Sequence, residues 1–309
     1  MTRLSATNRI AAGIFALFLI LPLFGLADYW LYTITIGFYY ALLASSWSLL
    51  VGYVGRISFA QAAMSGFGAY VALLTAGHFG LSPLPGILLG ALAAAGFGVV
   101  IGVLTLRLHG AYLGLTTIAF AEILRITATA EHKLTMGTRG LPAPPLWEGI
   151  TQLGYYYVFL GVLLASLGLM ILLLRSRIGL FFQAIREDED GAASLGVRVT
   201  LWKVLAFALS TGFAGLAGGF YAHFIQLIAP SMMSMQEMGY ILSMAVIGGF
   251  SNIIYAALGG ILLQGLLEAL REIGEWRLVI FGLIAILVLR FAPNGIFGSL
   301  EKWLGRRKN

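Results

Sequence analysis

Residues 184–197 read AIREDEDGAASLGV, and the five from Arg186 to Asp190 are all charged. The rest of the chain makes this run unusual. Its 309 residues are 60% hydrophobic and only 10% charged, whereas a soluble globular chain carries about 25% charged residues. So few charges cannot cover a wetted surface. The chain is therefore read as an integral membrane protein. Its fold class is all-α, a polytopic transmembrane helix bundle, because helices satisfy their own backbone hydrogen bonds in lipid.

A spanning helix needs about 20 apolar residues to cross ~30 Å of hydrocarbon. On that rule the sequence predicts about ten spans: 10–26, 31–51, 58–77, 85–106, 111–129, 155–174, 201–226, 237–249, 254–270 and 277–291. The Gly- and Ala-rich 58–77 reads either as a full span or as a broken one. The short 237–249 reads either as a crossing or as a re-entrant segment. The N-terminus, with Arg3 and Arg9 ahead of an apolar run, resembles a signal peptide. No clear A-x-A site follows it, so a retained first helix is expected.

Ten crossings put both termini on one side. With both inside, the basic residues divide as 14 cytoplasmic (Arg3, Arg9, Arg56, Arg107, Arg175, Arg177, Arg186, Arg198, Lys203, Arg290, Lys302, Arg306, Arg307, Lys308) and 5 outside (Arg125, Lys133, Arg139, Arg271, Arg277). Lys and Arg collect on the cytoplasmic side. That bias explains the net charge of +6 without nucleic acid, and it puts AIREDEDGAASLGV in the cytoplasm. The expected organisation is one transmembrane domain over 1–309, with a cytoplasmic loop at 175–203 and an outer loop at 130–154. The three prolines of that outer loop exclude a spanning helix. It reads as a connector or as a docking surface for something outside.

Small residues one helical turn apart, Gly86/Gly90, Gly98/Gly102 and Gly215/Gly219, predict closely packed helices. GAYVALL (68–74) and GAYLGLT (110–116) are alike, but seven residues in such a chain do not establish an internal repeat.

Enzyme chemistry has little to stand on. The absence of cysteine excludes disulfides, zinc–cysteine sites and thiol catalysis. There is no P-loop, G-x-S-x-G or H-E-x-x-H. His78, His109, His132 and His223 lack metal-site spacing and read as interfacial or loop residues, so no metal, cofactor or catalytic residue is expected. Ionisable residues deep in the spans are nearly absent, which weighs against a proton- or sodium-coupled carrier. Any uphill transport then draws its energy from outside the membrane domain. Glu122, with Arg125 three residues on, reads as an interfacial pair. Alternatively Tyr112, Thr116, Thr117 and Glu122 line a polar path, though Thr hydroxyls also back-bond to their own helix. Glu268, Arg271 and Glu272 form a similar cluster.

Within the cytoplasmic loop, Gly179 reads as the end of one helix or the start of a turn, and LFFQAI as an amphipathic stretch. Acidic residues from Glu187 to Asp190 suit a helix N-terminus. Ala192, Ala193 and Leu195 fit its body, and Gly196 its stop. The expected object is a short surface helix, acidic at its start, with a body small enough for close approach by a partner. The alternative is a solvated loop.

This loop resembles the cytoplasmic motif of permease subunits of branched-chain amino-acid ABC transporters, in the LivM-like branch. Four further segments match in order: VGYVGRISFAQAAMSGFGAYVALL (51–74), RLHGAYLGLTTIAFAEILRI (107–126), LTMGTRGL (134–141) and FAPNGIFG (291–298). The resemblance implies an importer for branched-chain or other hydrophobic amino acids, with urea, amides or small aromatic acids as alternatives. A stand-alone secondary carrier or channel, or a membrane-embedded enzyme, is the alternative of another class. The implied partners are a second homologous permease subunit, two cytoplasmic ABC ATPases that use the ATP, an extracytoplasmic solute-binding protein and the lipid bilayer. The loop would be the coupling helix. It comprises Ala184, Ile185, Arg186, Glu187, Asp188, Glu189, Ala192, Ala193, Leu195 and Gly196. The chain departs from the family pattern at Arg56, Phe59, Ala60 and Gln61, and at Asp190–Gly191, where Gly costs a helix about 1 kcal/mol relative to Ala. It departs again in IGGFSNIIYAALGG (247–260), which lacks the family's Thr and Pro.

Overall fold

The computed structural model describes residues 6–274, 276–292 and 294–306; Arg3, Pro293, Arg307 and Lys308 lie outside them. In chain order the helices are α1 (Ala6–Ile20), α2 (Asp28–Val54), α3 (Gln61–Phe79), α4 (Pro83–Leu104), α5 (Gly110–Ala130) and α6 (Gln152–Arg175). Next come α7 (Arg177–Glu187), α8 (Glu189–Ser194), α9 (Val199–Ile225), α10 (Met235–Gly248), α11 (Ile253–Ala269), α12 (Trp276–Phe291) and α13 (Gly295–Arg306). The extended structure among the described residues is a two-residue antiparallel ladder, β1 (Leu141–Pro142) against β2 (Leu227–Ile228).

The all-α bundle stands, but the expected ten spans do not. Among the described residues, six helical stretches are long and apolar enough to cross a membrane: Asp28–Val54, Pro83–Leu104, Gly110–Ala130, Gln152–Arg175, Val199–Ile225 and Val279–Glu301. Counting α10 with α11 as a single span makes seven. The physical reasons are local. Helices α10 and α11 meet at a 118° bend where Gly249 takes φ +123°, so 237–249 and 254–270 form one bent pair. Fourteen residues of α10 reach only about 21 Å. The 10–26 segment is cut at Ile20, after which Pro22 sits in a 3₁₀ turn. Residues 61–79 form one unbroken helix, but Gln61, Ser65, Thr75 and His78 leave it outside the apolar set. The placing of both termini in the cytoplasm rested on an even count of ten and loses that support.

Helix α2 is the axis. Its 27 residues rise about 40 Å, and 89% of its apolar window is buried inside the protein. Against it pack α6, α9 and α11, and α3 and α4 continue the layer on α9. Lipid provides no hydrophobic drive between helices, so close backbone approach has to hold them together. The glycines provide it. A Cβ at Gly68 would collide with the Gly215 backbone, one at Gly90 with the Gly68 carbonyl, and one at Gly218 with the Ser65 carbonyl. The predicted small-residue stripes are thus the α3–α4–α9 contact. Outward faces are apolar, as at Leu84, Leu88, Leu92, Val100 and Val103 along α4, which suits lipid or a second subunit.

The connections 55–60, 105–109 and 176–198 share one face, joined by contacts of Arg56 and Arg186. On the opposite face the 130–154 loop is folded down. β1 pairs β2, and Tyr155 Oη donates to His223 O at 2.8 Å. His223 is fully buried in α9 and its Nδ1 lies 2.8 Å from Pro144 O. It is a strut for the outer loop rather than an interfacial residue.

Replacing Gly218 with Ala forces a methyl into the Ser65 backbone and is expected to cost about 1–3 kcal/mol. Gly161→Ala, with nothing within 4 Å of the added carbon, is expected to be neutral. Thermal unfolding of both variants in one detergent checks this, and equal melting points would refute the packing argument.

Candidate functional site

The charged stretch folds as an elbow. Helix α6 ends at Arg175, and Ser176 caps α7, accepting from the Ile178 N–H at 3.2 Å. Gly179 lies within the first turn of α7, where any Cβ would collide with the Leu174 carbonyl, so the sharp corner requires glycine. LFFQAI belongs to this helix. Phe182 and Ile185 are buried beneath it and Ala184 is half-buried, while Glu187 is exposed. Asp188 then caps α8. Its Oδ1 accepts from the N–H groups of Asp190 and Gly191, both at 3.1 Å, which satisfies donors that a helix start leaves unpaired. Gly191 suits this tight cap, since a Cβ there would lie 2.5 Å from Asp188 Oδ2. Ala192 is buried, Ala193 is exposed and Leu195 is 87% exposed. Gly196, at φ +85°, ends the helix.

Two of the expected coupling residues turn inward instead. Arg186 Nη1 donates to Gly52 O at the end of α2. Glu189 bridges two cations that sequence reading treated as separate. Its Oε2 takes Arg56 Nη2 at 2.8 Å, and its Oε1 takes Lys203 Nζ. The cations are nearly dry, with side chains 7% and 4% exposed against 34% for Glu189. Arg56 also donates to Leu108 O, and His109 Nε2 lies 3.5 Å from Glu189. One carboxylate therefore ties the end of α2, the 105–109 connection and the start of α9 to α8. Burial pushes the Glu189 carboxyl up, but the Lys203 hydrogen bond and the charges of Lys203, Arg56 and His109 outweigh it. The net is a value below the ordinary carboxylate range. Burial lowers the Arg56 guanidinium against the pull of Glu189. Arg56 and Lys203 carried no motif. The signal was only that a charged residue stands where the resembling family tends to have an amide.

The four path residues separate on α5. Tyr112 is 73% exposed, and Thr116 back-bonds to Tyr112 O at 2.8 Å. Thr117 is buried, bonds Gly114 O at 2.8 Å and accepts the Phe59 N–H at 3.0 Å, pinning the 55–60 connection. Glu122 pairs with Arg125 on its own helix, Nε to Oε2 at 2.9 Å. Glu268 pairs with Arg271 at 3.2 Å and accepts from Tyr29.

A polar cavity lies elsewhere, between α2, α9 and the start of α10. It measures 180 Å³ and is lined by Tyr39, Tyr40, Tyr221, Ser231, Met232 and Glu237. Sequence reading placed Glu237 at the end of a span and missed it. Nothing local in the sequence joins it to tyrosines almost 200 residues away.

The sequence profile of the branched-chain amino acid transport system permease component matches residues 29–289. The chain belongs to this permease family. Its relatives include the LivM permease protein of the high-affinity branched-chain amino acid transport system of Salmonella typhimurium, 29% identical over 83% of this chain and 67% of the relative. The LivH permease protein of Escherichia coli K12 is 28% identical over 87% and 94% of the two chains. The autoinducer 2 import system permease protein LsrC of Salmonella paratyphi B is 28% identical over 72% and 70%. No solved structure matches the chain. Within the family the protein is a multi-pass inner-membrane transport permease subunit, not an enzyme.

Removing the bridge leaves two buried cations unpaired. Glu189→Gln is therefore expected to cost somewhat less than the ~3–5 kcal/mol of a fully buried pair, because a third of Glu189 is wet. It should speed hydrogen exchange across Ala192–Val197, and Glu187→Gln should not. The contribution of Glu189 is complete above its unfolded value of about 4.3 and is lost as pH falls through the lower folded value. Exchange there, corrected for intrinsic rates, should stay slow at pH 5.

Proposed function

We propose that the chain is the transmembrane permease subunit of a binding-protein-dependent ABC importer for branched-chain or other hydrophobic amino acids, with α7–α8 as the segment that receives work from a partner ATPase. The observation that carries this reading is the elbow itself. It presents Glu187, Ala193 and Leu195 outward while Arg186 and Glu189 fasten it to the end of α2 and the start of α9. A push on α8 therefore reaches two long helices through a charge-assisted bridge rather than through a loose linker.

Sidedness supports it. The face carrying the elbow also carries Arg56, Arg107, Arg177, Arg186 and Arg198 in its connections, as expected of a cytoplasmic face. The folded 130–154 loop on the other face is the surface for an extracytoplasmic solute-binding protein. The exposed apolar faces of α4 and α5 suit a second, homologous permease subunit. ATP is used by the partners. The names of the LivM and LivH relatives favour branched-chain amino acids, and that of the LsrC relative names a different solute, autoinducer 2. In this reading ATP binding closes the ATPase pair, moves both elbows and swings the bundles between outward- and inward-open states.

Glu187→Lys reverses a charge on the outward face without touching a described internal contact. It should reduce co-purification of the ATPase and ATP-driven uptake at least tenfold while the melting temperature stays within a degree or two. Unchanged association and uptake would refute the assignment of this surface. Concentrative, ion-driven uptake by the chain alone in liposomes would refute the importer reading as a whole.

A further inference from the structure

The 180 Å³ cavity combines one carboxylate with three tyrosine rings. Glu237 contributes a carboxylate whose Oε2 accepts from Tyr40 Oη at 2.7 Å. One phenol does not neutralise a carboxylate, and among the described residues no lysine, arginine or histidine pairs with it. Glu237 is half-buried, and an ionisable group held within a bundle is costly unless paired, so such a residue marks a functional site. Around it stand three aromatic rings. Tyr39 and Tyr221 stack with centroids 4.1 Å apart, and Tyr40 meets Tyr39 edge-on at 5.1 Å. Tyr39 Oη is itself held, 3.1 Å from Ser65 Oγ on α3. Electron-rich ring faces attract cations, more strongly where water is excluded. Met232 supplies an apolar wall and Ser231 a hydroxyl. The volume is below the ~300–1,000 Å³ of drug-sized pockets and suits a small solute.

We infer that this cavity binds the α-ammonium group of an amino acid in transit, with Glu237 as its counter-ion and Tyr39, Tyr40 and Tyr221 as its aromatic wall. The inference rests on the importer reading and deepens it by naming the group that is recognised. Its elements come from α2, α9 and α10, two of which the elbow grips at their far ends, so the bundle motion that opens the path also separates the carboxylate from the rings. A solute without an ammonium group would offer Glu237 no counter-charge and bind more weakly.

The test uses the purified chain in lipid nanodiscs and three ligands of matched aliphatic shape: leucine, 3-methylbutylamine and 4-methylpentanoate. Saturation-transfer NMR should show leucine and the amine binding competitively and the acid not binding. Glu237→Gln should weaken both amine-bearing ligands at least tenfold. Binding of the acid as well as the amine, no binding of either amine-bearing ligand up to ~10 mM, or full binding by Glu237→Gln would each overturn the inference. The ligand series on the unmutated chain decides the matter even if the variant fails to fold. Cells expressing the chain with its partner permease, ATPases and solute-binding protein separate the two levels of the argument. ATP-driven leucine uptake with an unchanged KM in Glu237→Gln sinks the site alone, and uptake that persists without the ATPase sinks the importer reading.

Discussion

Helices in lipid gain little from burying apolar side chains against one another, because the lipid is as apolar as they are. What remains is van der Waals contact at backbone distance, and the centre of this bundle is built on it. Gly68, Gly90, Gly215 and Gly218 let α3, α4 and α9 touch main chain to main chain, and Gly260 does the same for α11 against Ala41 of α2. Every site described depends on that contact. Within the same bundle, α9 also packs on α2, which sets Lys203 and Arg56 on one carboxylate and stacks Tyr221 on Tyr39.

The two polar sites lie at different levels along α2 and α9. On the elbow face a single carboxylate holds two buried cations and closes a bridge. In the tyrosine cavity Glu237 pairs with no lysine, arginine or histidine among the described residues. The first arrangement suits a joint that must transmit force without slipping. The second suits a place that a charged solute visits and leaves. Buried Gln61, bonded to Ser46 and Ser210, lies among the same three helices, α2, α3 and α9, and keeps them in register.

Much of the elbow was legible beforehand. Its acidic start, its small body and its stop at Gly196 follow from cap chemistry, which acts within four or five residues. The direction in which Arg186 and Glu189 point was not legible, because their partners Gly52, Arg56 and Lys203 are distant in sequence or lie across a turn. The span count failed for a related reason. Hydropathy measures whether a segment tolerates lipid, and it does not register the 118° bend that folds two apolar segments into one pair. The polar path expected on α5 was drawn from residue type and depth along one helix. The cavity lined by Glu237 draws on three elements.

The sequence by itself determined the solvent and the local grammar. Ten per cent charge requires a membrane, runs of apolar residues require helices, glycines one turn apart require close packing, and an acid-rich cap requires a short helix outside the lipid. Each of these rests on composition or on contacts a few residues long. Only the tertiary structure decided which charges meet. The attraction between Glu189 and Lys203, or between Tyr40 and Glu237, falls off over a few ångströms, and whether those ångströms are available is set by how α2, α9 and α10 pack.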